Sequence, residues 1–218
     1  MNSMDLVRKN RVFAVIRTDS SENALRFAEA CIEGGLKLIE ITFSFYGSEK
    51  VIEKLGKIND ILVGAGTVLN IDMARSAYNS GAGFIISPHT DREIISYAKS
   101  KSLLVASGAL TSNEILEAWN LGADLVKIFP VKSVGGASYI KAIKEPLPFI
   151  EVMTTGGVTT ENFTEFLQAG ATAVGLSTSL IGNDGLTDYK TVSQRARKVI
   201  QILSELEKRE LTEQISNN

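Results

Sequence analysis

Short apolar runs recur along the chain, and longer amphipathic stretches separate them. Eight such runs cover residues 12–16, 38–41, 61–63, 84–86, 103–106, 125–129, 149–153 and 173–176. Near-continuous runs rich in Val, Ile and Leu are typical of parallel strands that are buried on both faces. Their starts lie roughly 20 to 26 residues apart, which leaves room for one helix and two short loops in each unit.

The stretches between the runs carry helix start and stop signals. Ser20, Asp91 and the pair Thr111 and Glu114 stand where an N-cap or a capping box is expected before an apolar helix face. Three glycines stand where a helix should end before the next strand, namely Gly81, Gly122 and Gly170. The chain is therefore predicted to repeat a βα unit.

Eight βα units that close on themselves form the (β/α)8 TIM barrel, an α/β fold. We predict a single domain of this kind over residues 1–218, with a short N-terminal helix and a frayed helix end and tail over 205–218. An open doubly wound sheet is the alternative. It is disfavoured because no Gly-x-Gly-x-x-Gly motif follows the first strand.

Composition excludes several classes of protein. Lys and Arg number 23 and Asp and Glu 25, so the net charge of −2 provides no field for nucleic acid or an anionic membrane. No apolar run approaches the roughly 20 residues of a membrane span. Cys31 is the one cysteine and His89 the one histidine, which disfavours disulfides, zinc clusters and a Ser-His-Asp triad. We expect a cytoplasmic protein that has no metal, cofactor, nucleic-acid or membrane partner.

Two charged residues interrupt apolar runs, and they are the strongest candidates for chemistry. Lys127 lies between Val126 and Ile128, and Glu40 lies between Ile39 and Ile41. An ammonium buried there either gives up its proton more easily or needs a charged partner. A neutral lysine is a nucleophile for carbonyl groups, and a nearby carboxyl could move protons for it. The structural alternative is an ion pair of Lys127 with Glu40 or with Glu151.

Polar and glycine-rich segments follow several of the predicted strands, where the active site of such a barrel lies. The segment 64–67 could approach an anion through its glycines and the hydroxyl of Thr67, although a tight turn explains it as well. Arg17 could hold a carboxylate or phosphate. An anion site is predicted more strongly after the seventh and eighth runs, from Thr155, Gly156, Gly157, Ser177 and Thr178.

Five motifs in this order resemble the family of 2-keto-3-deoxy-6-phosphogluconate (KDPG) and 4-hydroxy-2-oxoglutarate (KHG) aldolases. They are LIEIT at 38–42, VGAGTVL at 63–69, ISP at 86–88, VKIFP at 126–130 and TGGV at 155–158. The resemblance implies a class I aldolase that releases pyruvate and an aldehyde, such as glyceraldehyde 3-phosphate or glyoxylate. It also implies a homotrimer and a role in the Entner-Doudoroff pathway.

The resemblance assigns roles to individual residues. Lys127 would form the Schiff base and Glu40 would be the general acid–base. The pyruvate part of the substrate would be bound by Thr67, Pro88 and Phe129, and its hydroxylated part by Thr155. The phosphate would lie against Gly156, Gly157, Ser177 and Thr178.

The chain departs from the family pattern at two places. Many members carry an Arg where this chain has Ser44, so Arg17 is expected to take the guanidinium role, as in a related galactonate-pathway branch. The usual Gly-Ser of the phosphate loop corresponds to Ser177 and Thr178, and the added Cβ restricts close approach of the backbone. The alternatives are a sugar-phosphate isomerase or epimerase on the same barrel, and a non-catalytic binding barrel.

Overall fold

The computed structural model describes residues 2–182 and 187–216. Within them, eight parallel strands pair in sequence order, and the first strand also pairs with the eighth, which closes the sheet. Helices follow the strands along the chain, and one short helix precedes the first strand. The predicted (β/α)8 TIM barrel with its N-terminal helix is therefore confirmed.

The strands are short and match the apolar runs. They are β1 Val12–Ile16, β2 Leu38–Thr42, β3 Leu62–Gly66, β4 Phe84–Ile86, β5 Leu104–Ala109, β6 Leu125–Ile128, β7 Val152–Thr154 and β8 Ala173–Leu176. The helices are α1 Ser3–Asn10, α2 Ser21–Glu33, α3 Ser48–Leu55, α4 Ile71–Asn79, α5 Arg92–Ser100, α6 Ser112–Asn120, α7 Ala137–Lys144, α8 Phe163–Gln168, α9 Thr178–Ile181 and α10 Tyr189–Ser216. A 3-10 helix covers Val131–Val134.

The helix start and stop signals act as predicted. The side chains of Ser20, Asp91 and Thr111 each accept a hydrogen bond from a backbone N–H of the following turn. The glycines at 81, 122 and 170 all have φ between +83° and +101°, the left-handed region that ends a helix at little steric cost.

Two buried clusters lie on either side of the sheet. The larger one fills the space between the strands and the outer helices, and the smaller one fills the inside of the barrel. Val7 of α1 is fully buried in the inner cluster, and its neighbour Arg8 pairs with Glu151 at 2.8 Å. Helix α1 thus closes the N-terminal end of the barrel, and the opposite end is left for a site.

Two boundaries differ from those expected. The run at 149–153 enters its strand only at Val152, because Phe149 is 57% exposed and belongs to the preceding loop. Helix α10 continues through the segment expected to fray and ends at Ser216. In that segment Leu206 is buried against the core and Glu210 pairs with Arg11 at 2.8 Å. The rest of the expected tail, 217–218, lies outside the described residues.

No helix in the described part of the chain is long and apolar enough to cross a membrane.

Candidate active site

A cavity of about 200 Å³ opens at the C-terminal ends of β1, β6, β7 and β8. It gathers eight of the predicted site residues: Arg17, Lys127, Phe129, Thr155, Gly156, Gly157, Ser177 and Thr178. They come together because side chains on alternate positions of a barrel strand point inward, and the loops that follow the strands surround the same opening.

Lys127 and Glu40 form a buried pair beside this cavity. Lys127 is 6% exposed and Glu40 is 1% exposed. The distance from Lys127 Nζ to Glu40 Oε1 is 3.8 Å, and the same Nζ lies 5.4 Å from the centre of the Phe129 ring. Glu151, the other acid considered as a partner, pairs with Arg8 instead. The lysine therefore meets one carboxylate at the inner end of an open cavity.

The Glu40 carboxyl is held in an environment that disfavours its charge. Burial raises its pKa above the ordinary value, and the positive charges of Lys127 and Arg17 oppose that rise without cancelling it. Neither carboxylate oxygen has a hydrogen-bond partner among the described residues. A carboxyl of this kind readily accepts a proton and can return it to a ligand that enters the cavity.

Arg17 supplies the second positive charge of the cavity. Its Nη2 donates to Thr67 Oγ1 at 3.4 Å, so the guanidinium at the end of β1 meets the hydroxyl that follows β3. Ser44 does not reach this position, because its Oγ lies 2.7 Å from Thr42 Oγ1, which in turn donates to the Ile16 carbonyl. The arrangement brings the side chains of Arg17 and Thr67 within hydrogen-bond distance of each other.

The loops after β7 and β8 form the opposite wall of the cavity. Gly156 and Gly157 have φ of +81° and +104°, and a Cβ at Gly157 would lie 2.3 Å from Lys132 Cβ. Glycine is required at both positions. The Ser177 hydroxyl donates to the Val15 carbonyl at 2.9 Å and so turns toward β1 rather than into the cavity. The Thr155 hydroxyl is buried and has no partner within the described structure.

Pro88 does not line this cavity. It lines a neighbouring cavity of about 350 Å³, and Phe129 forms part of the wall of both. His89 follows Pro88, and its Nδ1 lies 3.1 Å from Ser87 Oγ. In residues 2–182 and 187–212, no three His, Cys, Asp or Glu side chains gather as a metal site would require.

Three residues that line the cavity were not predicted as site residues: Val158 of the TGGV motif, Val15 and Gly175. Val15 lies two positions before Arg17 on β1, and Gly175 lies two positions before Ser177 on β8. The two-residue period of a strand could have found both. It would have required the inward face of each strand to be known first.

A sequence profile described as KDPG and KHG aldolase matches residues 4–195. The 2-dehydro-3-deoxy-6-phosphogalactonate aldolase of Escherichia coli K12 is 33% identical over 190 residues, which is 85% of this chain and 91% of that protein. The chain therefore belongs to the KDPG and KHG aldolase family. It is accordingly a lyase.

Solved structures agree with this assignment. A protein cage designed by fusing symmetric oligomeric domains has a TM-score of 0.88 and 29% identity, and the match covers 96% of this chain and 77% of that one. The KDPG aldolase of Legionella pneumophila, with pyruvate captured as a covalent carbinolamine intermediate, has a TM-score of 0.83 and 26% identity. That match covers 91% of this chain and 98% of the other.

Proposed function

We propose that this protein is a class I aldolase that acts through a Schiff base on Lys127. Its substrate is KDPG or a related 2-keto-4-hydroxy acid such as KHG, and its products are pyruvate and an aldehyde. The observation that carries the proposal is the buried pair of Lys127 and Glu40, 3.8 Å apart, at the end of a cavity of substrate size. The Legionella structure, in which pyruvate is captured as a carbinolamine, supports the same chemistry.

The reaction begins when Lys127, having given a proton to its partner Glu40, attacks the C2 carbonyl of the substrate. The resulting carbinolamine loses water, with a proton supplied by Glu40, and becomes an iminium ion. The Glu40 carboxylate left by that step then accepts the proton of the C4 hydroxyl, and the C3–C4 bond breaks. The aldehyde leaves, and the bonding electrons move into the iminium to give an enamine. Glu40 returns its proton to C3 of the enamine, and addition of water to the resulting iminium ion releases pyruvate and restores Lys127.

Different groups of the site bind the two ends of the substrate. The carboxylate of the keto acid meets Arg17 and Thr67, which lie within hydrogen-bond distance of each other. A phosphate at the other end would meet Gly156, Gly157 and Thr178. Ser177 would contribute through its backbone, because its hydroxyl is bonded to a carbonyl. Arg17 in the place of the arginine that many family members carry at position 44 favours a substrate of the galactonate type. The E. coli relative of 33% identity is named a 2-dehydro-3-deoxy-6-phosphogalactonate aldolase.

Two wider properties accompany this proposal. We propose a homotrimer, which the family resemblance implies and which is compatible with a structural neighbour built from symmetric oligomeric domains. Cleavage of KDPG would give the protein a place in the Entner-Doudoroff pathway.

Reduction with sodium borohydride in the presence of pyruvate tests the mechanism. We expect an increase in intact mass that corresponds to one reduced pyruvyl group, located on Lys127 by peptide mapping. Lys127→Ala should lose both the adduct and the cleavage activity. Lys132→Ala, which removes an exposed lysine near the cavity, should retain the adduct. A folded protein that forms no adduct would exclude the Schiff base and favour the isomerase or epimerase alternative.

A further inference from the structure

The side chain of Glu40 occupies the space in which a side chain of residue 66 would lie. A Cβ added to Gly66 would be 1.9 Å from Glu40 Oε1 and 2.5 Å from both its Cδ and its Cγ. These three atoms are the nearest neighbours of that position, and all belong to Glu40. The adjacent strands β2 and β3 produce this contact, since Glu40 pairs with Gly64 and Thr42 with Gly66 in the strand register.

The reason for glycine at position 66 is space rather than backbone conformation. Its φ does not lie in the left-handed region, so the backbone there is one that any residue can adopt. The surrounding packing leaves no room for even one methyl group unless Glu40 moves. Because the clash is with the side chain of Glu40 and not with backbone, Glu40 is the group that would be displaced.

The carboxylate of Glu40 has little else to hold it in position. Its two oxygens lack hydrogen-bond partners in the described structure, and the nearest opposite charge is Lys127 Nζ at 3.8 Å. The position of the Glu40 carboxylate therefore depends on the packing of its side chain against β3 at Gly66. Proton transfer is sensitive to that location, since a displacement of about 1 Å in a catalytic group can cost ~100-fold in rate.

Resting on the proposed function, we propose that Gly66 is a positioning residue for proton transfer. Because Gly66 has no side chain, the Glu40 carboxyl can occupy the volume that one would fill and lie beside Lys127. Gly66 does not line the cavity of Lys127, and its effect passes through Glu40.

Gly66→Ala tests the kinetic consequence. We expect kcat to fall by about 10- to 100-fold while KM stays within about threefold, and the acid limb of the pH–rate profile to move. Gly83→Ala is the matched control. It adds a methyl group at the glycine just before β4, whose nearest neighbour is Leu62 Cδ1, the end of a flexible side chain at 2.6 Å. The control should keep its kcat and its pH profile. An unchanged kcat and pH profile in Gly66→Ala would overturn the proposal.

A second measurement needs no activity and covers the case in which Gly66→Ala folds poorly. The change should lower Tm in the native background but leave Tm unchanged in a Glu40→Ala background, where the clashing side chain is gone. An equal loss of Tm in both backgrounds would mean that Glu40 is not what Gly66 accommodates, and the proposal would fail.

The proposed function can fail separately. If Glu40→Gln keeps its full kcat, or if pyruvate is not trapped on Lys127, the acid–base or Schiff-base role is wrong and Gly66 has no proton transfer to position. If both tests succeed while Gly66→Ala is fully active, only the role of Gly66 is wrong.

Discussion

Burial and the two cations Lys127 and Arg17 act in opposite directions on the pKa of the Glu40 carboxyl. Burial raises the pKa of Glu40, and the two cations reduce that rise. The ionised carboxylate needed as a base is therefore lost at a higher pH than for an ordinary glutamate. We expect the acid limb of kcat/KM to lie above the ordinary Glu pKa of ~4.3.

Replacing Arg17 tests this electrostatic balance and the binding role together. Arg17→Ala removes a charge that lowers the pKa of Glu40, so the acid limb should move to still higher pH. The loss of a charge-assisted contact to the keto-acid carboxylate should raise KM by about 10- to 100-fold. Both effects are measured from initial rates at a series of pH values on either side of the acid limb.

Arg75→Ala is the matched control, because Arg75 is exposed and its partner Asp72 lies on the same helix. It should leave the KM and the acid limb as they are. A native KM in Arg17→Ala would show that Arg17 does not bind the substrate carboxylate.

At the level of single residues, the sequence was most informative where a charge interrupts an apolar run. Lys127 and Glu40 could be identified in that way, since burial of a charge needs a reason. Gly66 could not. The sequence is compatible with an anion loop or a tight turn at 64–67, and the structure adds a packing reason for two of its glycines: a Cβ at Gly64 would clash with Phe84 and one at Gly66 with Glu40. These neighbours come from other strands, so the printed sequence does not show them.

Helix α6 shows how much of an element is determined locally. Thr111 accepts from the Glu114 N–H, and the Glu114 carboxylate accepts from the backbone N–H groups of Thr111 and Leu110. These bonds hold the pKa of Glu114 below its ordinary value. The capping box lies within four residues, and for that reason the sequence alone was sufficient to predict it.

Thr111→Ala should lower the free energy of unfolding by about 1 kcal/mol, because it leaves an N-terminal N–H of α6 without its acceptor. Thr111→Ser keeps the hydroxyl and should stay within about 0.5 kcal/mol of the native protein. Urea unfolding followed by circular dichroism measures both. Equal losses in the two variants would mean that the hydroxyl is not the stabilising group.

Strand ends were less predictable than helix starts. β7 begins three residues later than its apolar run, because Phe149 contacts Trp119 at the surface instead of entering the sheet. Hydrophobicity marks what is buried on average, whereas the start of a strand depends on which neighbouring backbone it meets.

For the molecule as a whole, the repeat of βα units predicted the barrel, but the pairing of β1 with β8 joins residues far apart in the sequence. Spacing gives the number of units. Closure follows from strand twist and right-handed crossovers. Neither the spacing of the units nor the strand twist predicts how several copies assemble, because assembly depends on the side chains at the surface.

The proposed homotrimer predicts a mass in solution of about three times the 23.6 kDa of the chain. We expect the contact between copies to include the aromatic surface after β2, since Tyr46 is 95% exposed next to the partly buried Phe43 and Phe45. Tyr46→Ser should weaken association. Leu211→Ser, at an exposed leucine on α10, should not.

Light scattering coupled to size-exclusion chromatography, over a dilution series, measures the mass of each variant. A native protein that elutes as a monomer would contradict the trimer. A trimer that Tyr46→Ser leaves equally stable would place its interface on another surface.

Phe129 stands between the cavity of Lys127 and the neighbouring cavity of about 350 Å³. The aromatic ring of Phe129 is thus part of the wall that the smaller and the larger cavity share. Shortening it to Leu would join the two volumes and leave the strands in place. Under the proposed aldolase function, this single substitution should widen the donor specificity from pyruvate to bulkier 2-keto acids.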